Sequence, residues 1–341
     1  MSISAIRHAL GALGRSSPRQ RLLPDVRGSW LHSHSGSVQR RLERSLWDPL
    51  AMRGSVMVDR RTPTGWVPTG SVRLELNDEE AVRSVSQDLL ARAFATTVGF
   101  FQEAAERLPA QAQMVEEYGC LLFRTEAMTV VAGLPAGLDP SVLASIRGLY
   151  PAASTVLFAP MEQLPSASHL SELGFTAPVP LPAMAASLGA LPLSEAVPSG
   201  LQIQEVRDDA AYRSLATVQI ETLGTDFGPR AGMKRLFGLE SGSRVQHLLG
   251  QQDGEPVAAA TLILDEDIVS LWGIGTLPAE RGRGIGRALT LAACRAARGR
   301  GASLACLYST PSGYGVYQGV GFRECGAVAL PEAPPLAVGA P

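Results

Sequence analysis

The segment TLPAERGRGIGRALT, residues 276–290, holds three glycines (Gly282, Gly284, Gly286) and three arginines (Arg281, Arg283, Arg287) between an apolar strand-like run and a helical pattern. Glycines remove the side chains that keep a ligand off the backbone, and the N–H groups opening a helix point at an anion. The chemistry such a loop serves is phosphate binding. A P-loop is excluded, because it needs Gly-Lys followed by Ser or Thr, and the one lysine here, Lys234, precedes Arg235. A dinucleotide fingerprint is excluded as well. Counted from Gly282 its sixth position is Arg287, counted from Gly284 it is Leu289, and the next apolar run, SLACLYS, carries no acid.

A second motif lies downstream. VYQGVGF, residues 316–322, places Tyr317 four positions before Gly321-Phe322. Together the two motifs resemble the GNAT superfamily of acyl-CoA-dependent N-acyltransferases. The acyl-CoA loop of that superfamily reads Arg or Gln, two residues, Gly, one residue, then Gly or Ala, matched here by Arg281, Gly284 and Gly286. VYQGVGF resembles its later helix-to-strand junction, and the helix pattern RALTLAACRAARGRG and the strand pattern ASLACLYS stand between the motifs in the required order. The resemblance covers residues 200–330 and implies acetyl-CoA as co-substrate. It implies that Ile274, Gly275 and Thr276 pair backbone groups with the pantetheine arm, and that the amides of Gly282, Arg283, Gly284, Ile285, Gly286 and Arg287 bind the pyrophosphate. Arg281, Arg283 and Arg287 add charge, each about 0.3–1 kcal/mol when exposed.

The reaction so implied is transfer of an acetyl group from a thioester to a primary amine of a small molecule or peptide. An amine of pKa near 10.4 is protonated at neutral pH, so a base or a water relay is required. The departing thiolate profits from a proton donor, and the resemblance puts Tyr317 in that role. Many members of the superfamily carry a carboxylate on the cofactor-facing strand or early helix. Here the strand offers Ser270 and Trp272 instead, which leaves Glu221, at the end of the preceding helical segment, as the candidate base. Ser309 and Thr310 are placed to hold a relay water, while Asp265, Glu266 and Asp267 read as turn residues. His247 and His169 fall in strand and helix patterns and read as structural, and His32-Ser33-His34 lacks the partners of a metal site. Two other readings stay open: a non-catalytic acyl-CoA sensor, and a larger-acyl or aminoacyl transferase of the two-copy type. An intact loop with an intact tyrosine favours catalysis.

The elements that must position these residues suggest a tandem arrangement. At 341 residues the chain has room for two domains, and 45% hydrophobic with 18% charged residues is ordinary for a soluble globular protein. No apolar run reaches the ~18 residues of a membrane span, and no signal-peptide core follows the N-terminus. Four separated cysteines (120, 294, 306, 325) read as reduced buried thiols, and the location expected is cytoplasmic.

Residues 1–61 carry eleven arginines against four acids, whereas the remainder is net acidic at −9. Residues 1–60 therefore read as a disordered or mis-assigned basic extension, with Met52 or Met57 nearer the true start; a transit-like peptide and a nucleic-acid or membrane tail are the alternatives. Neither nucleic-acid nor membrane binding is expected of the folded part, and a monomer or homodimer is expected.

Residues 61–190 repeat the order of elements in weaker form, SELGF (171–175) paralleling QGVGF (318–322), but the loop GLPAGLDPSV lacks the Arg/Gly pattern and carries Pro135 and Pro140. The expected class is α/β (α+β): a tandem acyl-CoA N-acyltransferase fold with a mixed central sheet flanked by helices. Residues 61–190 form a degenerate copy, 191–200 a linker, 201–330 the catalytic domain and 331–341 a flexible tail, with one active centre per chain.

Overall fold

The structure is a computed structural model that describes residues 30–32, 39–48, 53–62, 65–75, 79–107, 109–110, 112–135, 137–223 and 244–336. The chain divides into two units, residues 1–85 and 86–341. In the first, β1 (Trp30–His32), β2 (Gln39–Asp48), β3 (Arg53–Thr62) and β4 (Gly65–Glu75) form an antiparallel sheet in sequential order. Residues 1–60, read from the sequence as a disordered or mis-assigned basic extension, include β1, β2 and most of β3. Their apolar alternation is confined to short pairs such as Val56 and Val58, too brief to register as a strand period.

The helix α1 (Glu79–Arg107) leads into the second unit. There follow β5 (Ala112–Glu117), β6 (Cys120–Thr125), β7 (Met128–Gly133), α2 (Ser141–Leu149), β8 (Ser154–Leu157), β9 (Ala159–Pro160), α3 (Ala167–Glu172) and β10 (Leu181–Ser187). The second half of this unit contains β11 (Leu201–Glu205), α4 (Asp209–Leu223), β12 (Val245–Gln252), β13 (Glu255–Asp265), β14 (Ile268–Thr276) and α5 (Ile285–Gly299). It ends with β15 (Leu304–Tyr308), α6 (Pro311–Val320), β16 (Arg323–Ala329) and β17 (Glu332–Ala333). The run MKRLFGL, which reads from the sequence as a second helical segment after α4, lies outside the described residues. No described helix is long and apolar enough to cross a membrane.

The halves share one topology. In each, three antiparallel strands are followed by a helix and a strand that pairs in parallel with the third, Val131 opposite Leu157 in one and Leu271 opposite Leu307 in the other. Both open with a two-residue hairpin turn at positive φ, Tyr118-Gly119 and Asp253-Gly254.

The halves also trade strands. The eight-stranded sheet runs β11-β12-β13-β14-β15-β10-β16-β9, so β10 of the first half is inserted between β15 and β16 of the second. In return β17 closes the five-stranded sheet β17-β8-β7-β6-β5. The segment after residue 330, expected as a flexible tail, is stapled here up to residue 336: Leu157 N–H donates to Pro331 O (3.0 Å), Leu336 N–H to Pro151 O (2.8 Å) and Arg147 Nη2 to Pro334 O (2.8 Å). A domain boundary at residues 191–200 thus separates the chain but not the sheets.

Both faces of the larger sheet are covered by periodic apolar stripes. On α5, Ile285, Ala288, Leu289, Ala293, Cys294 and Ala297 recur every three or four residues and pack with Leu262, Leu271 and Leu307. On the other face Tyr212, Leu215 and Val218 of α4 meet Leu249 and Ala259, and Phe100 of α1 meets Val245 and Ile263. Asp208 caps α4, its Oδ1 accepting the N–H groups of Ala210 (2.9 Å) and Ala211 (2.8 Å).

Candidate active site

The site begins where β14 leaves its neighbours. On one edge Thr261 pairs with Trp272 and Ala259 with Gly275, so Gly273 and Ile274 face Ala260 alone, a β-bulge. On the other edge the parallel pairing with β15 stops at Leu271 and Leu307, although β14 continues to Thr276. The two strands therefore splay, and residues 272–276 present one edge of backbone that no described strand covers.

Helix α4 rests on the bulge. A Cβ at Gly273, whose φ is +55°, would collide with the amide of Gln219, and one at Gly275 would collide with Thr222. Gln219 Nε2 donates to Gly273 O (3.1 Å) and to Thr261 Oγ1 (3.2 Å), and Thr261 Oγ1 lies 2.9 Å from Nδ1 of the buried His247. Trp272 donates from Nε1 to Ser270 Oγ (2.8 Å). Its ring meets Tyr308 (5.5 Å) and Phe158 (6.2 Å), and Phe158 in turn stacks on Phe94. The strand positions that lack an acid are thus the footing of an aromatic wall to which the first half contributes Phe94 and Phe158.

Beyond Thr276 the chain makes a short 3-10 turn, Pro278–Glu280, and enters the glycine loop, where residues 281–284 are exposed. Gly282 and Gly284 have φ of +77° and +79°, a left-handed conformation that side chains disfavour, and nothing stands within 4 Å of where a Cβ of Gly282 would be. Gly284 caps α5 with no side-chain hydrogen bond to the helix end, and the first helical hydrogen bond runs from Ala288 N–H to Gly284 O (3.0 Å). The amides ahead of it have no helical acceptor and open a positively polarised end. These features fit a diphosphate.

The three arginines are differently engaged. Arg281 donates from Nε to Thr276 O (3.1 Å), and Arg283 pairs with Glu280. Arg287 forms a two-pronged pair with Glu195 (Nε to Oε1 2.8 Å, Nη2 to Oε2 2.7 Å) and donates to Gly319 O (2.6 Å). That hydrogen bond holds the Glu195 carboxyl below its ordinary range and pushes Arg287 up. Glu195 and Pro198, whose ring lies 3.7 Å from the Cβ position of Gly284, bring the linker alongside the loop.

Tyr317 sits on α6, which begins with Pro311 and ends at Gly321, where Gly321 and Phe322 N–H both donate to Tyr317 O (3.1 and 3.0 Å). Its side chain is 9% exposed, packed on Gly313 and edge-on to Phe322 (6.2 Å). Burial pushes the phenol up to about 12, so it keeps its proton at neutral pH. Glu221 is exposed and lies off the face of α4 that carries Gln219 and Thr222. Ser309 is buried and donates to Thr310 O (2.8 Å), while Thr310 Oγ1 meets Ser312 Oγ (3.1 Å). All four cysteines are buried free thiols, and burial raises Cys294, Cys306 and Cys325 to about 12.

The structure therefore puts Ile274 to Arg287 on one continuous path with Tyr317 on the helix beside it, and turns Glu221 outward. Sequence reasoning missed Gln219, Thr222, Phe158 and Glu195. The only signal for the first two was the pair Gly273 and Gly275, two apart in a strand, where missing side chains mark a close approach.

Residues 215–322 match the sequence profile of the Acetyltransferase (GNAT) family. No curated protein matches the chain. Among solved structures, the chain is similar to a GCN5-related N-acetyltransferase from Kribbella flavida, at 21% identity over 69% of this chain and 95% of that one, with a TM-score of 0.52. It is also similar to a functionally unknown conserved protein from Staphylococcus epidermidis, at 13% identity over 65% and 93% of the two chains, with a TM-score of 0.51. Both similarities cover more of the chain than residues 215–322. Residues 215–322 are thus similar to the Acetyltransferase (GNAT) family, and the first half of the second unit repeats the strand and helix order of the second half without the glycine loop.

Proposed function

We propose that this protein is an N-acetyltransferase that moves the acetyl group of acetyl-CoA to a primary amine of a small molecule or peptide by direct attack on the thioester. The observation that carries this reading is continuity. One strand, β14, opens at its bulge and runs directly into an anion-binding loop, so a single stretch of backbone offers an extended edge and then a helix N-terminus. An acyl-pantetheine arm ending in a diphosphate has that sequence of demands.

This chain's residues divide the chemistry. Bringing an amine of pKa near 10.4 to its free base at pH 7 costs about 4–5 kcal/mol. Glu221 takes up that proton at the solvent side, directly or through water. As the C–N bond forms and the C–S bond breaks, Tyr317 gives its proton to the departing sulfur and recovers one from solvent. Burial raises that phenol to about 12, so it arrives protonated at every physiological pH.

The test is a CoA-release assay with acetyl-CoA across a panel of primary amines, peptides and aminoglycosides. Release with at least one acceptor is the expected result. Measurable acetyl-CoA binding with no release for any acceptor overturns the transferase reading in favour of a sensor.

A further inference from the structure

The bulge in β14 is held from outside the sheet. A strand carbonyl ordinarily faces the neighbouring strand, yet that of Gly273 is met by the side-chain amide of Gln219 on α4 (3.1 Å). The same nitrogen donates to Thr261 Oγ1 (3.2 Å), and an NH2 group has two hydrogens for two acceptors. Thr261 is itself buried on β13 and hydrogen-bonded at 2.9 Å to His247, which is 2% exposed and packed edge-on against Tyr212. Gln219 is thus tied on one side to a rigid, buried group and on the other to the most irregular peptide of the strand.

The glycines make this contact possible. Gly273 at φ +55° and Gly275 leave the strand surface bare, so that α4 lies against it with Gln219 over one and Thr222, almost one turn later, over the other. The C=O and N–H of one trans peptide point in opposite directions. A hydrogen bond that draws the Gly273 carbonyl toward α4 therefore also aims the Ile274 N–H away from α4.

We infer that Gln219 is a positioning residue of the acyl transfer: it sets the Gly273–Ile274 peptide plane and, through that backbone, the alignment of the thioester for attack. This rests on the transferase reading above. Gln219 acts on geometry at the bulge, and the glycine loop that takes the diphosphate is separate from it in the chain.

The test compares Gln219→Leu and Gln219→Glu with the unaltered protein. In Gln219→Leu, kcat for CoA release from acetyl-CoA is expected to fall about 30- to 100-fold, the scale of a misaligned reacting group, while the Kd for acetyl-CoA changes less than about threefold. Hydrogen–deuterium exchange in residues 272–276 is expected to rise more than about tenfold, with β12 and β15 unchanged. Gln219→Glu keeps the shape but faces the carbonyl with a carboxylate, and its activity relative to the unaltered protein is expected to recover toward pH 5, where protonation restores one donor. Unchanged kcat and exchange in a folded Gln219→Leu overturn the inference, as does a parallel loss of kcat, affinity and protection throughout the sheet. If the unaltered protein releases no CoA with any amine, the transferase reading fails, and the local exchange contrast alone supports or overturns the hold of Gln219 on the bulge.

Discussion

The two halves of the second unit place the same junction, third strand to helix, under opposite electrostatics. After β7 the chain carries Pro135 and Pro140, which have no N–H, and three described amides there are met internally. Leu138 N–H donates to Pro135 O (3.2 Å), Val142 N–H to Asp139 O (3.0 Å) and Ser141 N–H to Asp139 Oδ1 (2.9 Å). The backbone hydrogen bond from Ser141 holds the Asp139 carboxyl below its ordinary range, so a negative charge already caps α2. After β14 the corresponding cap is Gly284, with no side chain and with arginines on either side. The same junction thus meets a carboxylate one residue ahead of the Pro140 cap in the first half and a bare glycine cap in the second.

Breaking the pairing of the halves should have the largest effect. Residues 201–341 alone lack β10, which leaves β15 and β16 without the strand between them. The expected result is no cooperative thermal transition and no acetyl-CoA binding, both restored by co-expressing residues 86–200. A fragment that melts like the whole chain counts against the traded strands as a structural necessity.

Converting one junction into the other comes next. Gly284→Asp puts a side chain at φ +79° and a carboxylate at the helix end, and backbone strain of about 1–3 kcal/mol plus repulsion predicts an acetyl-CoA affinity about 100-fold lower by calorimetry. The reverse change, Asp139→Gly, is expected to create no second site, because both prolines remain. A stoichiometry above one per chain after that change contradicts the reading of the first half as closed.

Tyr317→Phe is expected to lower kcat about 100-fold with the affinity for acetyl-CoA unchanged, since a general acid contributes to the transition state alone. Because the folded phenol is raised from 10.0 to about 12, the stability linked to it is present below pH 10 and is lost as the pH climbs toward 12. An unchanged kcat in Tyr317→Phe removes the assignment. The smallest effect is expected of Glu221→Gln, less than about tenfold in kcat, since an exposed carboxylate works in competition with bulk water. A loss as large as that of Tyr317→Phe places the base inside the site instead.

Much of the second half was legible because its signals are local. The glycine loop, the stripe of α5, the Asp208 cap and the turn at Gly321 each depend on residues within a few positions of one another. The β-strands of residues 30–62 were not legible, as their alternation is too short. Nor was β10, whose sequence LPAMAAS reads as the last strand of its own half although it pairs with β15 and β16. Pairing partners far apart in the chain leave no mark in either segment taken alone. The same holds for Glu195, a linker residue that meets Arg287 only through the path of the chain.

The sequence by itself determined that a helix N-terminus would stand bare behind a strand, because backbone freedom and the lack of side chains are properties of Gly282, Gly284 and Gly286 themselves. It likewise determined that the first half would lack such a site, since Pro135 and Pro140 have no N–H to donate in any fold. Only the tertiary structure decided what surrounds the reacting end: Gln219 on the bulge, Phe158 against Trp272, Glu221 turned to solvent. Those outcomes depend on where α4 and the first half come to rest on the sheet, and that is set by the summed packing of distant segments.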